Sequence, residues 1–120
     1  LAGVLLVDSV HSALALSADQ ETLWVELRTE ADVLQSKQEA TRVALQTAIA
    51  VELAKPAPDL AVIEEARLDV MATGVADARA LHDKAAALYR SLSSAQQDTL
   101  VTAIRALESN RPARRAPPMG

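Results

Sequence analysis

Residues 51–66 read VELAKPAPDLAVIEEA, and the five residues at their centre, KPAPD at 55–59, divide the chain. Pro56 and Pro58 cannot continue a helix, and each disfavours helical geometry in the residue before it. Asp59 is then a good N-cap for a new helix. Upstream, residues 17–53 contain no Gly or Pro. Leu23, Leu27, Ala31, Leu34, Thr41, Leu45, Ala48 and Glu52 recur three, four or seven positions apart, a mostly apolar stripe along one long helix. Val43, Ile49, Val51 and Leu53 fall off that stripe, so the end of this helix is apolar on more than one face. Downstream, Leu60, Ile63, Ala66, Val70, Gly74, Ala78, Leu81, Ala85 and Leu88 continue at helical spacing. Gly74 costs that helix about 1 kcal/mol relative to Ala, which suggests close approach of another helix. A third run, Leu100, Ile104 and Leu107, precedes Asn110, where the helical signal ends.

The short loop predicts that the two long helices are antiparallel neighbours. A helix of about thirty residues extends about 45 Å. The expected architecture is therefore all-α: a long antiparallel helical hairpin with short flanking helices, thin rather than compact. A thin hairpin exposes apolar area, and a homodimer is one way to cover it. Residues 1–110 read as one helical domain and residues 111–120, RPARRAPPMG, as a disordered basic Pro-rich tail.

Composition narrows the function classes. Hydrophobic residues make up 50 % of the 120, but aromatic residues only 2 %. That scarcity argues against an enzyme pocket and against a base-stacking surface. The tail holds three Arg and no acid, so the net −4 of the whole chain leaves −7 for residues 1–110. So acidic a body argues against nucleic acid as a partner. With no Cys, disulfides and thiolate metal sites are excluded, though the compartment is not fixed by this. No segment is apolar for long enough to predict stable membrane insertion.

The first residues, LAGVLLVDSVHSALA, read in two ways. Val4, Val7, His11 and Leu14 recur as on a short first helix. The apolar run followed by Ala13-Leu14-Ala15 also fits the remnant of a secretory signal.

A short phrase occurs twice: LSADQ at 16–20 and LSSAQ at 92–96. Ser17 with Gln20, and Ser93 with Gln96, stand as N-cap and N3 of a capping box, in which the Ser oxygen accepts from the N3 amide and the Gln side chain reaches back to the N-cap amide. Leu16 and Leu92 precede the caps. The usual staple partners are here Glu21 and Gln97, so both Leu are expected to pack into the hairpin.

These two phrases, with LSADQETLW near the start, LYRSLSSAQQDTL near the end and a Pro-turned hairpin between, resemble the Spy/CpxP family of periplasmic proteins with paired LTxxQ motifs. Ser stands where the family usually has Thr, which keeps the hydroxyl cap. The likeness spans about residues 14–108. It implies a helical hairpin that dimerises into a curved cradle, acting in the periplasm of a Gram-negative bacterium as an ATP-independent chaperone for unfolded or stress-damaged clients, or as a stress or metal sensor. Carried over, Leu16, Ser17, Gln20, Leu92, Ser93 and Gln96 support the fold and do no chemistry. This chain departs in charge, being acidic where the best-known chaperone of the family has a basic cradle, and it is poor in Met.

Chemistry sought elsewhere is sparse. Asp8 and His11, at i and i+3, make half a metal site at most, and His82 reads as a surface residue. Glu26 with Glu30 and Glu64 with Glu65 read as solvated acids near Arg28 and Arg67, not as a catalytic pair, which needs burial to separate its pKa values. Ser91, Ser93 and Ser94 lack a His partner in sequence and are explained as caps. No Gly-rich phosphate loop occurs; neither an enzyme nor a cofactor is expected. Trp24, Val25, Val33, Val43, Val51 and Leu53 are the expected client or dimer surface. Three function classes follow: a chaperone-like binder of unfolded clients, a stress- or metal-sensing regulatory domain acting through a protein partner, and a structural helical dimerisation module.

Overall fold

The computed structural model describes residues 1–110; the expected tail at 111–120 lies outside the described residues. Five helices follow in order: α1 (Ala2–Leu5), α2 (Asp8–Leu14), α3 (Ala18–Leu53), α4 (Leu60–Ser91) and α5 (Ser94–Ser109). The long pair α3 and α4 pack together as a hairpin, and among the described residues there is no strand.

The first segment is two helices rather than the expected one. Leu6 closes α1, Val7 is extended, and Asp8 opens α2, where its charge favours a helix start. The break changes which side chains face inward. Leu5, Val10 and Leu14 are buried, whereas Val7, expected on the stripe, lies exposed at the break. Leu5 and Val10, five positions apart, would point about 140° apart on one continuous helix; the kink brings both to the core. Ala15 then ends α2 in the left-handed region at φ 48°. That turn leaves only Leu16 and Ser17 before α3 begins.

The core sits at one end of the hairpin. Leu5, Val10, Leu14 and Leu27 from the first part of the chain meet Ala85, Leu88, Leu92 and Leu100 from the last. Leu92 is a member of this cluster and Leu16 packs against its edge, as the capping boxes predict. Beyond this head the hairpin is an arm. Of its facing residues only Leu34 and Glu52 are buried, while Thr41, Leu45, Ile49, Ile63, Ala66 and Val70 are half-covered. The radius of gyration is 19.7 Å, against about 14 Å for a compact domain of this length. The extents of 63 × 49 × 18 Å describe a flat, elongated body.

Gly74 does not serve close approach within the chain. A Cβ placed on it meets nothing within 4 Å, so α3 leaves room there.

Glu52, part of the long stripe in sequence, is the buried keystone of the turn, 6 % exposed. Its Oε1 lies 3.1 Å from Lys55 Nζ, and its Oε2 accepts from the Asp59 backbone amide at 3.3 Å. Asp59 in turn accepts from Ala61 N at 2.9 Å, capping α4.

Candidate functional site

The two repeated phrases are brought together. Each is a complete capping box: Gln20 N donates to Ser17 Oγ at 3.3 Å and Ser17 N to Gln20 Oε1 at 2.9 Å. In the second copy Gln96 N donates to Ser93 Oγ at 3.2 Å and Ser93 N to Gln96 Oε1 at 2.8 Å. The glutamine amides also pair with each other. Gln20 Nε2 donates to Gln96 Oε1 at 3.0 Å and Gln96 Nε2 to Gln20 Oε1 at 2.9 Å. The remaining donors reach across the head, Gln20 Nε2 to the Ser91 carbonyl at 2.7 Å and Gln96 Nε2 to the Leu14 carbonyl at 3.1 Å. Two donors and two acceptor sites on each amide are thus all used. Helix starts 76 residues apart are clasped by the side chains that cap them. The sequence carries one signal for this. Glu would complete a capping box as well as Gln does, but only Gln has donors left over, and both copies have Gln.

Beside the clasp, His11 stacks on Trp24 with ring centroids 3.7 Å apart and planes 6° from parallel. His11 Nε2 lies 2.9 Å from Glu21 Oε1, and Trp24 Nε1 donates to the Leu5 carbonyl at 2.9 Å. These contacts fasten α1 and α2 onto α3. Trp24, expected on a client or dimer surface, is half-buried against the core. The reason is its indole N–H, which finds a partner in the end of α1. The Asp8–His11 half-site does not grow: Asp8 is exposed, and among the described residues no group of three or more His, Asp or Glu could hold a metal ion.

The other five expected surface residues are exposed: Val25, Val33, Val43, Val51 and Leu53, each 49–60 % accessible. Val25 and Val43, like Val33 and Val51, are 18 residues apart, which is about five helical turns. Each pair therefore repeats on one line of α3, turned away from α4. Leu53 points to another side. Sequence reading missed an equal set on α4: Leu60, Val62, Leu68, Met71 and Val75, each 46–68 % exposed. Leu68, Val75 and His82 recur every seven residues, a visible signal obscured by the stronger stripe facing α3.

Two shallow hollows interrupt the arm. One of about 320 Å³ is lined by Val75, Ala78, Arg79 and His82. The other, about 190 Å³, lies between the long helices, where Thr41, Leu45, Val70 and Gly74 are framed by Arg42 and Asp77. The second also holds the hydroxyl of Thr73, but its one carboxylate, Asp77, is engaged by Lys37 at 2.9 Å.

The charges are mostly local. Lys37 bridges the helices to Asp77 at 2.9 Å. Arg28 pairs with Asp32 at 3.5 Å rather than with Glu26, because residues two apart do not face each other on a helix. Glu64 and Arg67, three apart and so on one face, make no ion pair with each other either. Arg42 grips Glu39 with two bonds; the hydrogen bond and then the charge of the guanidinium hold that carboxyl below its ordinary value. Any stability from this exposed pair is present above the usual carboxylate range and is lost as pH falls through the depressed value.

Compared with family models, curated proteins and solved structures, the chain matches none of them.

Proposed function

We propose that the chain is an ATP-independent, chaperone-like protein of the bacterial periplasm that holds unfolded or stress-damaged clients along its arm. The carrying observation is the run of exposed aliphatic residues on both long helices, from Val25 to Leu53 on α3 and from Leu60 to Val75 on α4. A binder of many partners needs an adaptable surface instead of a pocket, and this arm offers scattered aliphatic contacts interleaved with Thr, Ser and Ala. The paired capping phrases and their resemblance to the Spy/CpxP family favour the same reading. The test is light scattering from a chemically denatured client diluted into buffer with an equimolar amount of the protein. Slower aggregation, weakened in a Val33→Glu, Val43→Glu double variant, supports the reading; unaltered aggregation with the wild-type chain removes it.

A second reading, a helical dimerisation module, is favoured by the outer face of α3. Thr29, Val33, Ser36, Ala40, Val43 and Thr47 recur there three and four apart, all exposed and all uncharged, the spacing of a coiled-coil seam. Two copies joined on this face form the expected cradle. Sedimentation equilibrium separates the two: a stable dimer that loses client binding only when forced apart keeps both, and a dimer with no effect on clients leaves the module alone. A metal-sensing role finds no support in the geometry, since Glu21 already holds His11.

A further inference from the structure

We infer that a second copy of this chain docks on the side of α4, in an antiparallel pairing centred between Ala72 and Gly74. This face is distinct from the outer seam of α3, and the inference holds whether or not the arm binds clients. Glu64, Leu68, Met71, Val75, Ala78 and His82 alternate four and three positions apart, and all six are exposed. That alternation is the seam of a coiled coil, here about 27 Å long at 1.5 Å per residue. The seam is apolar in the middle, with an acid at one end and a histidine at the other. Set against itself in parallel, it stacks Glu64 on Glu64 and His82 on His82. Turned antiparallel, it places Glu64 against His82 of the second copy at both ends, Met71 against Val75, and Leu68 against Ala78. A two-fold contact of this kind is self-complementary.

In this pairing large side chains meet small ones, as interdigitating layers require. The hollow of about 320 Å³ lined by Val75, Ala78, Arg79 and His82 is where Leu68 of the second copy arrives. On one flank Arg79 lies against Glu65 of the second copy, and Glu65 against its Arg79. Among the described residues neither these two nor Glu64 and His82 has an ion-pair partner within the chain, although Asp83 stands four positions after Arg79. Opposite charges beside the seam set partner orientation in coiled coils. They also fix the register, because a shift of one heptad either way puts Glu64 against Val75 or His82 against Met71. At the two-fold axis the flanking residues are Ala72 on one side and Gly74 on the other, each beside its own counterpart. A Cβ on Gly74 meets nothing within 4 Å inside the chain, and glycine permits close approach of another backbone. The second α4 is the helix that approaches. The pairing covers Leu68, Met71 and Val75, which are 52 %, 65 % and 63 % exposed, and leaves Val33 and Val43 of α3 open to clients.

The test is sedimentation velocity of the full chain over a dilution series, where a reversible monomer–dimer equilibrium is expected. Val75→Glu, at a position exposed in the single chain, is expected to keep the helical circular dichroism and to sediment as a monomer throughout. Val33→Glu, on α3, is expected to sediment like wild type. Arg79→Glu and Glu65→Arg are each expected to weaken the dimer about tenfold or more, since like charges then face each other. Mixed together, these two variants are expected to pair, because each supplies the charge that the other lacks. The chain has no Cys, so Ala72→Cys is expected to cross-link to itself through a short bismaleimide, and Val33→Cys is not. A wild-type chain that stays monomeric over the series overturns the proposal. So does a dimer that survives Val75→Glu, a dimer lost in Val33→Glu, a mixture of the charge variants that pairs no better than either alone, or cross-linking at 33 in place of 72. None of these measurements involves a client, so this inference and the client-holding reading fail separately.

Discussion

At the scale of single residues, Gln20 and Gln96 separate two jobs that one side chain performs. The amide oxygen completes a capping box and the amide nitrogen closes the clasp. A Gln20→Glu or Gln96→Glu change keeps the box and removes the donors, placing a carboxylate against a backbone carbonyl. Each is expected to destabilise the chain by about 1–3 kcal/mol, read from urea unfolding followed by the fluorescence of Trp24. The double variant is expected to depart from additivity by about 0.5–3 kcal/mol, because the two amides pair directly. Equal, strictly additive losses would show that the boxes act separately and that the amide pair adds nothing. The boxes were legible in sequence, since an N-cap and its N3 residue lie three apart. Their meeting was not, because no local pattern specifies a contact across 76 positions.

At the scale of elements, the two long helices and the Pro turn follow directly from the absence of Gly and Pro over residues 17–53 and from KPAPD. The division of the first segment into α1 and α2 was hidden, because a four-residue helix leaves no period to read and only packing against Trp24 and the core sets its angle. Two elements carry predictions. In α4, Gly74→Ala meets open space and restricts the unfolded chain, so it is expected to raise stability by about 0.4–1 kcal/mol; a loss measured by thermal unfolding at dilute protein would mean that another helix already occupies that hollow. At the turn, Glu52→Ala leaves the Asp59 amide and Lys55 without their buried acceptor. A cost of about 1–3 kcal/mol is expected, concentrated in α3 and α4 near the tip and measurable as faster amide exchange there.

For the whole molecule, the uneven core predicts uneven stability. Head residues such as Leu27 and Leu88 are fully buried, while the arm beyond Leu34 is covered on one face only. Segments with few buried apolar contacts open with less free energy than the whole. Amide hydrogen exchange is therefore expected to show the slowest rates around Leu27 and Leu88 and faster, mutually similar rates across 40–75. Uniform protection along both helices at dilute protein would mean that the arm is covered by another chain. A low-cost opening of the arm suits either holding a client or pairing with a second copy, since both add contacts where the monomer lacks them.

The core has one property that concerns ancestry and engineering alike. Its eight buried residues divide evenly, four before the KPAPD turn and four after it, and each glutamine of the clasp lies on a different side. None of those eight residues lies in the turn itself. Cleaved between Lys55 and Asp59, the molecule becomes two helical pieces, each carrying half of a complementary lock. Such pieces are expected to find each other and restore the head from separate polypeptides, an arrangement from which a one-chain hairpin can arise by joining, and into which it can be divided to make a split reporter.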